Sequence, residues 1–307
     1  MERIAVGLAA LGRPAYINLG RELPATRDVP AMRAATHEVL DAAYASGVRW
    51  VDVARSYGLA EDFMASWLAE TGHTDVTVSS KWGYRYVGDW HIDASVHEVK
   101  EHSAARFAGQ WAETRELLGN HVRLYQVHSL TVDSPLFTDA ALIDALAALA
   151  DDGVEVGFST SGPAQADAVR RAFELEAAGR PVFSSVQSTW NVFEPSVGPA
   201  LREARAAGKR VLIKETLANG RLVVEAPAAL VRVAEAHGVG SDAVAVAAVL
   251  ANEWVSAAIV GPSSPHQLAS NLAATRVSLT ADETAELAAL AEPAGEYWGH
   301  RSHLGWD

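Results

Sequence analysis

Short apolar segments alternate with longer amphipathic segments along the whole chain. Segments with helical periodicity include "MRAATHEVLDAAYASG", "AALIDALAALADDG" and "AQADAVRRAFELEAAG", each closed by a glycine where a helix C′ residue is expected. Ser95 with Glu98, and Thr280 with Glu283, have the spacing of N-terminal capping boxes. The apolar runs between the helical segments have the length of buried strands, and they are Ile4–Leu8, Trp50–Val53, Val76–Ser80, Leu124–His128, Glu155–Ser159, Ser184–Gln187, Val211–Lys214 and Ala257–Val260.

This alternation predicts eight strand–helix rounds and therefore a parallel sheet. Eight rounds without a linker or a composition shift favour a closed barrel over an open doubly wound sheet. An open sheet that binds a dinucleotide usually carries G-x-G-x-x-G after its first strand, and "GLAALGRP" does not match that motif. We therefore predict an α/β fold, a (β/α)8 TIM barrel that forms a single domain over residues 1–307 with the C-terminal tail over its mouth.

Composition excludes several kinds of partner and site. The formal charge of −13 disfavours nucleic-acid binding, and no uncharged apolar stretch reaches the length of a membrane span. These features, with an N-terminus unlike a secretory signal, predict a cytoplasmic protein. The absence of cysteine excludes disulfides and thiolate chemistry. His91, His97 and His102 lack metal-ligand spacing, since His97 and His102 would point apart on a helix, and we predict no metal site.

Polar side chains stand at the ends of three consecutive predicted strands. Asp52 ends the second strand and is followed by Tyr57, Lys81 ends the third, and His128 ends the fourth. Active sites of barrels lie at the carboxyl ends of the strands, so these side chains are expected to meet. A buried Asp52 would need a partner, and Lys81 on the neighbouring strand is placed to be that partner.

These four side chains suit proton transfer to a carbonyl oxygen. A phenol has a pKa of about 10, and an adjacent ammonium lowers it, so Tyr57 is the expected acid. A neutral His128 is expected to hydrogen-bond the same oxygen. Because no side chain supplies a hydride, a nicotinamide cofactor must lie over the barrel mouth for such a reaction.

The motifs "DVARSY", "SSK" and "LYQVH" resemble those of the aldo-keto reductases in residue type, order and spacing. The resemblance extends from the first strand to the "VGPSSPHQLASNLAA" segment. It implies a (β/α)8 barrel, NAD(P)H across the C-terminal face, and reversible reduction of aldehydes or ketones. It assigns Tyr57 as general acid/base, tuned by Asp52 and Lys81, with His128 positioning the carbonyl.

The same resemblance implies a set of cofactor-binding residues. Ser159, Thr160 in place of the family's Asn, and Gln187 would contact the nicotinamide carboxamide. In "IKETLANGRL", Lys214 stands where the family commonly has a ring-stacking aromatic, and Leu217 and Gly220 would contact the pyrophosphate.

The resemblance also implies how the adenosine end is bound. Ser263 and Gln267 stand where a Lys or Arg often binds the adenosine 2′-phosphate, and Asn271 is the expected adenine contact. Without a cation, preference for NADP(H) weakens toward dual use or NAD(H), so the cofactor is NADP(H) or NAD(H).

Aromatic side chains in the loops after the strands are candidates for the substrate pocket. Trp82, Trp90, Trp190 and Trp298 are the predicted substrate residues, and Trp190 is also a possible replacement for the missing stacking aromatic. Aromatic walls with polar groups suit a sugar or a cyclic polyketide-like ketone. The predicted partner is therefore a small-molecule carbonyl or sugar, and the sequence does not predict an oligomeric state.

Other functions remain open from the sequence. The same chemistry in reverse is that of an NAD-dependent aldose 1-dehydrogenase. A strand-end lysine such as Lys81 can form a Schiff base, as in an aldolase, although Asp52 beside it keeps the amine charged. A non-catalytic cofactor-binding sensor is compatible with the altered segment after the seventh predicted strand, although it has no need of the Tyr57 and Lys81 pair.

Overall fold

Eight parallel strands close into one barrel in the computed structural model, which describes residues 1–307. The strands are β1 Ile4–Gly7, β2 Trp50–Asp52, β3 Thr77–Trp82, β4 Tyr84–Tyr86, β5 Glu98–Lys100, β6 Val122–Leu130, β7 Glu155–Thr160, β8 Glu176–Ala177, β9 Arg180–Pro181, β10 Ser185–Thr189, β11 Arg210–Lys214 and β12 Ala257–Val260. The helices are α1 Val29–Ala45, α2 Ala60–Thr71, α3 Ala104–Leu118, α4 Ala140–Asp151, α5 Gln165–Phe173, α6 Gly198–Ala206, α7 Arg221–Val224, α8 Ala228–His237, α9 Ser241–Leu250, α10 Pro265–Leu272, α11 Ala281–Ala288 and α12 Ala294–Ser302.

The barrel confirms the predicted fold class. Its strands are hydrogen-bonded in the order β1-β12-β11-β10-β7-β6-β3-β2, and β1 pairs with both β12 and β2 to close the ring. All eight predicted strands are present, most within two residues of the expected bounds. The pairs β4–β5 and β8–β9 are two separate antiparallel hairpins outside the barrel.

Two local predictions from the sequence are wrong. Ser95 and Glu98 do not form a capping box, because Glu98 begins β5 and pairs with Tyr86 of β4, and the predicted helix that would carry His97 and His102 is absent. The segment after Phe173 does not continue α5, because Ala178 and Gly179 have positive φ and turn the chain into the β8–β9 hairpin. The capping box of Thr280 and Glu283 is confirmed at the start of α11.

The barrel interior changes from apolar to polar toward the carboxyl ends of the strands. The main core lies between the barrel and its helices and includes fully buried Val6, Val78 and Val186. Inside the ring, β2, β3, β6 and β10 each contribute one buried polar side chain to a common layer. These side chains are Asp52, Lys81, Gln126 and Gln187, and the last three all contact Asp52. Such a layer is costly unless every group is paired, so it marks the end of the barrel where a function is expected.

No single helix is both long and apolar enough to cross a membrane. The helices α8 and α9 pass a test of length and composition only together, across a 90° bend.

Candidate active site

A cleft of about 520 Å³ lies across the carboxyl ends of the barrel strands. Its walls include residues that end or follow four strands, among them Asp52, His128, Gln187 and Lys214. Two residues in this region have positive φ although they are not glycine, namely Ser129 near the end of β6 and Glu215 directly after β11. Backbone strain of this kind is frequently found at functional sites.

Asp52 is the centre of a buried hydrogen-bond network. Its Oδ2 accepts a bond from the Lys81 ammonium, which also donates to the carbonyl oxygen of Val53 over 3.0 Å. Its Oδ1 accepts bonds from Ser79 Oγ at 2.7 Å and from Gln187 Nε2 at 3.1 Å. The ion pair predicted from the sequence is therefore present, and its members are almost completely excluded from water.

Tyr57 lies over this ion pair. The Lys81 ammonium is 4.7 Å from the centroid of the Tyr57 ring, and the ring is in edge contact with His128 at 5.5 Å between centroids. Burial, with Asp52 adding to it, raises the pKa of Tyr57 well above its usual value. This is opposite to the direction expected from the sequence, because loss of water around the phenolate outweighs the attraction of nearby cations.

His128 is a neutral hydrogen-bonding group at the same point. Burial and the charge of Lys81 hold the pKa of His128 well below its usual range. Its Nδ1 is 3.3 Å from Ser56 Oγ, and its Nε2 has no partner in the chain. Both Tyr57 and His128 line the cleft, and neither the phenol nor Nε2 is used by another group of the protein.

The end of β11 carries a buried charged cluster instead of an aromatic ring. Lys214 Nζ donates to Thr189 Oγ1 at 2.9 Å and lies 3.3 Å from Glu215. Arg301 of α12 binds the Glu215 carboxylate through two nitrogens, with Nε to Oε2 at 2.9 Å and Nη2 to Oε1 at 2.6 Å. The C-terminal helix is thus tied to the cleft wall, and Lys214, Glu215 and Arg301 all line it.

This cluster predicts a specific loss of stability in acid. Although burial raises it, the charges of Arg301 and Lys214 lower the pKa of Glu215 from 4.5 to about 2. Because the pKa is lower in the folded state, the stabilisation is fully present above pH 4.5 and is lost as the pH falls toward 2. We expect wild type to exceed Glu215→Gln in free energy of unfolding by up to about 3 kcal/mol near neutral pH, with the gap closing in acid. Urea denaturation between pH 7 and 3 measures this gap, and a gap that stays constant contradicts the assignment.

Part of the predicted cofactor set lies on the cleft wall. Gln187, Lys214, Leu217, Gly220, Gln267 and Asn271 line the cleft. The amide nitrogen of Gln187 donates to Asp52, and Gln187 Oε1 has no partner in the chain. Asn271 Nδ2 donates to Asp242 at 2.7 Å, and Asp242 also lines the cleft.

Three predicted cofactor residues do not line the cleft. The Ser159 hydroxyl accepts a bond from the backbone nitrogen of Ser129, and the Thr160 hydroxyl bonds Ser188 of β10 and Gln165 of α5. Ser263 Oγ is 2.8 Å from the backbone nitrogen of Glu22 and is also bonded to Gln267. Their side chains are buried and each hydroxyl oxygen has a partner in the chain, so direct cofactor contacts of Ser159, Thr160 and Ser263 stay a prediction.

The four predicted substrate tryptophans are also absent from the cleft wall. Trp82 is completely buried against Phe107, and Trp298 belongs to a separate core cluster beside Tyr297. The remaining two are partly buried and make contacts away from the cleft. Trp90 donates from its indole nitrogen to the carbonyl oxygen of Arg27, and Trp190 packs on Trp254. Trp82, Trp90, Trp190 and Trp298 pack against other elements and do not line this cleft, so their contacts with a substrate stay a prediction.

The cleft beside Tyr57 and His128 is lined by Tyr16, Tyr84, Trp306, Arg13 and Glu98. Trp306 of the C-terminal tail stacks on His97 with 4.3 Å between centroids and meets Tyr16 edge-on at 5.9 Å. The backbone of Asp307 pairs with that of Tyr16, so the tail lies beside the loop that follows β1. Of these five, Tyr84 lies two residues after β3 and Trp306 lies in the tail predicted to cover the mouth, whereas Arg13, Tyr16 and Glu98 were not predicted.

Comparison with known proteins places the whole architecture in one family. The model of the aldo/keto reductase family matches residues 4–292. The aldo-keto reductase str7 of Strobilurus tenacellus is 24% identical over 286 residues, which cover 83% of this chain and 80% of that protein.

Solved structures share the fold. The aldo-keto reductase AKR11C1 from Bacillus halodurans, in its holo form, is 20% identical, with a TM-score of 0.68 over 95% of this chain and 93% of that one. The glycerol dehydrogenase AKR11B4 from Gluconobacter oxydans is 21% identical, with a TM-score of 0.69 over 94% and 90%. The barrel, the motif residues at its strand ends and the family match lead to one conclusion: the chain belongs to the aldo/keto reductase family.

Proposed function

We propose that the protein transfers a hydride between NAD(P)H and the carbonyl carbon of a small molecule, with Tyr57 as the proton donor. One observation carries the proposal: the Tyr57 hydroxyl and His128 Nε2 face the same cleft and have no partner within the chain. Two unpaired donors at one point of a largely buried site suit an oxygen atom that gains negative charge.

The cleft has groups that suit a nicotinamide dinucleotide. It extends from Tyr57 past Lys214 and Gly220 to Asn271, across the barrel mouth. The free Oε1 of Gln187 is a suitable acceptor for a carboxamide NH2 near Tyr57. When bound, the dinucleotide supplies the hydride, which no side chain can supply.

The residues of this chain then orient the carbonyl group and transfer the proton. His128, neutral at physiological pH, donates from Nε2 to the carbonyl oxygen and orients it. Tyr57 gives its proton to the same oxygen as negative charge develops there. Asp52 fixes the Lys81 ammonium below the ring, where the cation stabilises the phenolate left behind.

The raised pKa of Tyr57 favours the reductive direction. A phenol that remains protonated at neutral pH is ready to act as an acid, whereas the oxidative direction requires phenolate. An NAD-dependent aldose 1-dehydrogenase would use the same residues in reverse, and in this site it would work best at alkaline pH.

The two other functions left open by the sequence fit the geometry less well. Lys81 does not line the cleft, and its ammonium is bonded to Asp52 and Val53, so it is not available to form a Schiff base with a substrate. A cofactor-binding sensor would not need Tyr57 and His128 placed with unpaired groups toward one point.

We propose a small, neutral, oxygen-rich carbonyl compound as the substrate. The cations near Tyr57 are all paired, with Arg13 on Glu98, Arg301 and Lys214 on Glu215, and Lys81 on Asp52. No free cation is therefore left for a substrate carboxylate. The Trp306 and Tyr16 rings on the cleft wall suit the apolar face of a sugar-like molecule.

We propose that NAD(H) is preferred to NADP(H). At the adenosine end, Glu22 from the loop after β1 bonds Ser264 Oγ and lies 3.2 Å from His266 Nδ1. Glu22 therefore lies against the segment after β12, in which the family often has a cation for the 2′-phosphate. The nearest arginine in sequence, Arg21, donates to the carbonyl oxygens of Ala10 and Pro14. A carboxylate accepts bonds from ribose hydroxyls and repels a phosphate dianion.

Titration of the protein with NADH and NADPH, followed by quenching of tryptophan fluorescence, tests this preference. We expect NADH to bind at least about 10-fold more tightly, which corresponds to about 1.4 kcal/mol. In Glu22→Gln the ratio should shrink, because repulsion of the 2′-phosphate is removed. Glu235→Gln, which removes an exposed charge on α8 outside the cleft, is the matched control and should leave the ratio unchanged.

Each outcome of the titration decides a different point. Tighter binding of NADPH would overturn the assignment of Glu22 and leave the hydride-transfer proposal standing. Binding of neither nucleotide would overturn the hydride-transfer proposal itself.

A further inference from the structure

Arg13 is a second cation beside Tyr57. Its guanidinium carbon lies 5.3 Å from the centroid of the Tyr57 ring, and the Lys81 ammonium lies 4.7 Å from the same centroid. Arg13 is only 1% exposed, yet it lines the cleft. Burying a guanidinium costs free energy of desolvation, so such a residue usually has a structural or chemical role.

The position of Arg13 is set by groups that are themselves tied to Tyr57. Its Nη1 donates to the carbonyl oxygen of Ser56, the residue before Tyr57, at 2.9 Å. The same nitrogen donates to Glu98 Oε1 at 2.7 Å. The guanidinium also lies over the rings of Tyr16 and Trp306, at 4.7 and 4.8 Å from their centroids. Aromatic faces on two sides and bonds at the edge leave this side chain little freedom.

Glu98 reaches the site from outside the barrel. It begins β5 of the β4–β5 hairpin, and its side chain is 19% exposed and lines the cleft. Arg13 and Glu98 therefore form an ion pair beside the phenol of Tyr57, in which Arg13 is the more deeply buried member. Because the guanidinium is positive and the Glu98 carboxylate is negative, the two charges act on the phenol with opposite sign.

We propose that the Arg13 and Glu98 pair is a positioning pair that sets how readily Tyr57 gives up and regains its proton. The proposal rests on the proposed function, in which Tyr57 is the acid. Arg13 stabilises the phenolate, and Glu98 limits that effect by neutralising part of the guanidinium charge. Neither residue exchanges a proton with the substrate.

The other charges around Tyr57 support this division of roles. The ionisable groups facing the phenol come from β2, β3, β6, the loop after β1, the hairpin and the end of β11, and they are Asp52, Lys81, His128, Arg13, Tyr16, Glu98 and Glu215. Arg13 lowers the pKa of Tyr57, whereas burial, Asp52, Glu98 and Glu215 raise it. All three carboxylates are paired, but the Glu98 side chain is 19% exposed against 4% for Asp52 and 8% for Glu215, so solvent reaches the Arg13 and Glu98 pair most.

Substitutions of opposite sign test the pair. The test measures kcat/KM for carbonyl reduction at pH 7, with a panel of glyceraldehyde, butanal and benzaldehyde, and for oxidation of the corresponding alcohols between pH 7 and 9. Oxidation requires phenolate, so its rate changes about tenfold for each unit by which the pKa of Tyr57 moves. We expect Arg13→Met to slow oxidation about 10-fold and Glu98→Gln to accelerate it about 10-fold, with reduction at pH 7 changed less than threefold in Glu98→Gln.

The gain in Glu98→Gln is the decisive readout, because a loss of packing would lower both rates. Arg13→Lys should recover part of the oxidation rate, since it restores the charge without the planar fork. Arg49→Met and Asp75→Asn, which change the same charges in an exposed pair before β2 and β3, are matched controls and should change neither rate. Equal effects of Arg13→Met and Glu98→Gln, or no gain in Glu98→Gln, would overturn the inference.

The same experiments distinguish failure of the proposed function from failure of the inference about Arg13 and Glu98. If the wild-type protein reduces none of the panel, or if Tyr57→Phe retains full activity, the role of Tyr57 as acid is wrong and the inference falls with it. If Tyr57 is required but the two substitutions do not shift oxidation in opposite directions, only the role of the Arg13 and Glu98 pair is wrong.

Discussion

Tyr57→Phe lowers kcat for carbonyl reduction by about 10²-fold or more, and it leaves the dissociation constant of the nucleotide nearly unchanged. The substitution removes one hydroxyl from a buried ring and keeps the contacts of that ring with Lys81, Arg13 and His128. The phenol acts when charge develops on the carbonyl oxygen, so its loss affects the transition state more than the bound nucleotide. Steady-state kinetics and fluorescence titration of the same preparation measure the two quantities.

Tyr125→Phe is a matched control for this experiment. Tyr125 is also completely buried, but it packs on Phe107 and Trp111 of α3 and does not line the cleft. Removal of its hydroxyl should leave kcat unchanged. Wild-type turnover in Tyr57→Phe would contradict the role of the phenol and would direct attention to His128 as the proton donor.

The fold was predictable because its signals are local. Each buried strand is a short apolar run, as in "AAIV" of β12, and the intervening helices carry apolar stripes that end at glycine. The ion pair of Asp52 and Lys81 was also predictable, since parallel neighbouring strands bring their carboxyl ends to one edge. A carboxylate after an apolar run needs a partner, and the neighbouring strand offers one.

The part of the cleft that Glu98 and the C-terminal residues form was not predictable in the same way. Glu98 reaches Arg13 across 85 positions, through a hairpin for which the sequence has no clear alternation, and the spacing of Ser95 and Glu98 suggested a helix cap instead. Arg301 reaches Glu215 across 86 positions from the last helix. Such contacts depend on how loops and the tail lie over the barrel, which periodicity does not describe.

The tryptophans show a related limit of prediction from the sequence. Trp82 directly follows Lys81 on β3, and side chains alternate between the two faces of a strand. Because Lys81 points into the barrel toward Asp52, Trp82 must point outward, where it packs on Phe107 of α3. Strand alternation would have predicted this once Lys81 was assigned to the interior, whereas the aromatic character of the loop alone predicted a pocket wall.

Lys81→Met lowers the free energy of unfolding by about 3–5 kcal/mol, because it leaves the Asp52 carboxylate buried without its cation. Lys81 is completely buried and Asp52 nearly so, and Ser79 and Gln187 supply only neutral donors to the carboxylate. The methionine side chain has a similar volume to the lysine stem, so the effect reports the lost charge more than a cavity. Urea denaturation at pH 7, followed by tryptophan fluorescence, measures the change in stability.

A double-mutant cycle separates the ion pair from packing. We expect Asp52→Asn combined with Lys81→Met to be more stable than Lys81→Met alone, since no unpaired charge then remains buried. Arg180→Met breaks the exposed pair of Arg180 with Asp151 and should leave the urea midpoint unchanged. If the double variant is as unstable as the sum of the single ones, the two charges do not depend on each other. Because Tyr57 rests on this ion pair, turnover should remain low in the double variant even where stability returns, which separates the contribution of the Lys81 charge to catalysis from its contribution to folding.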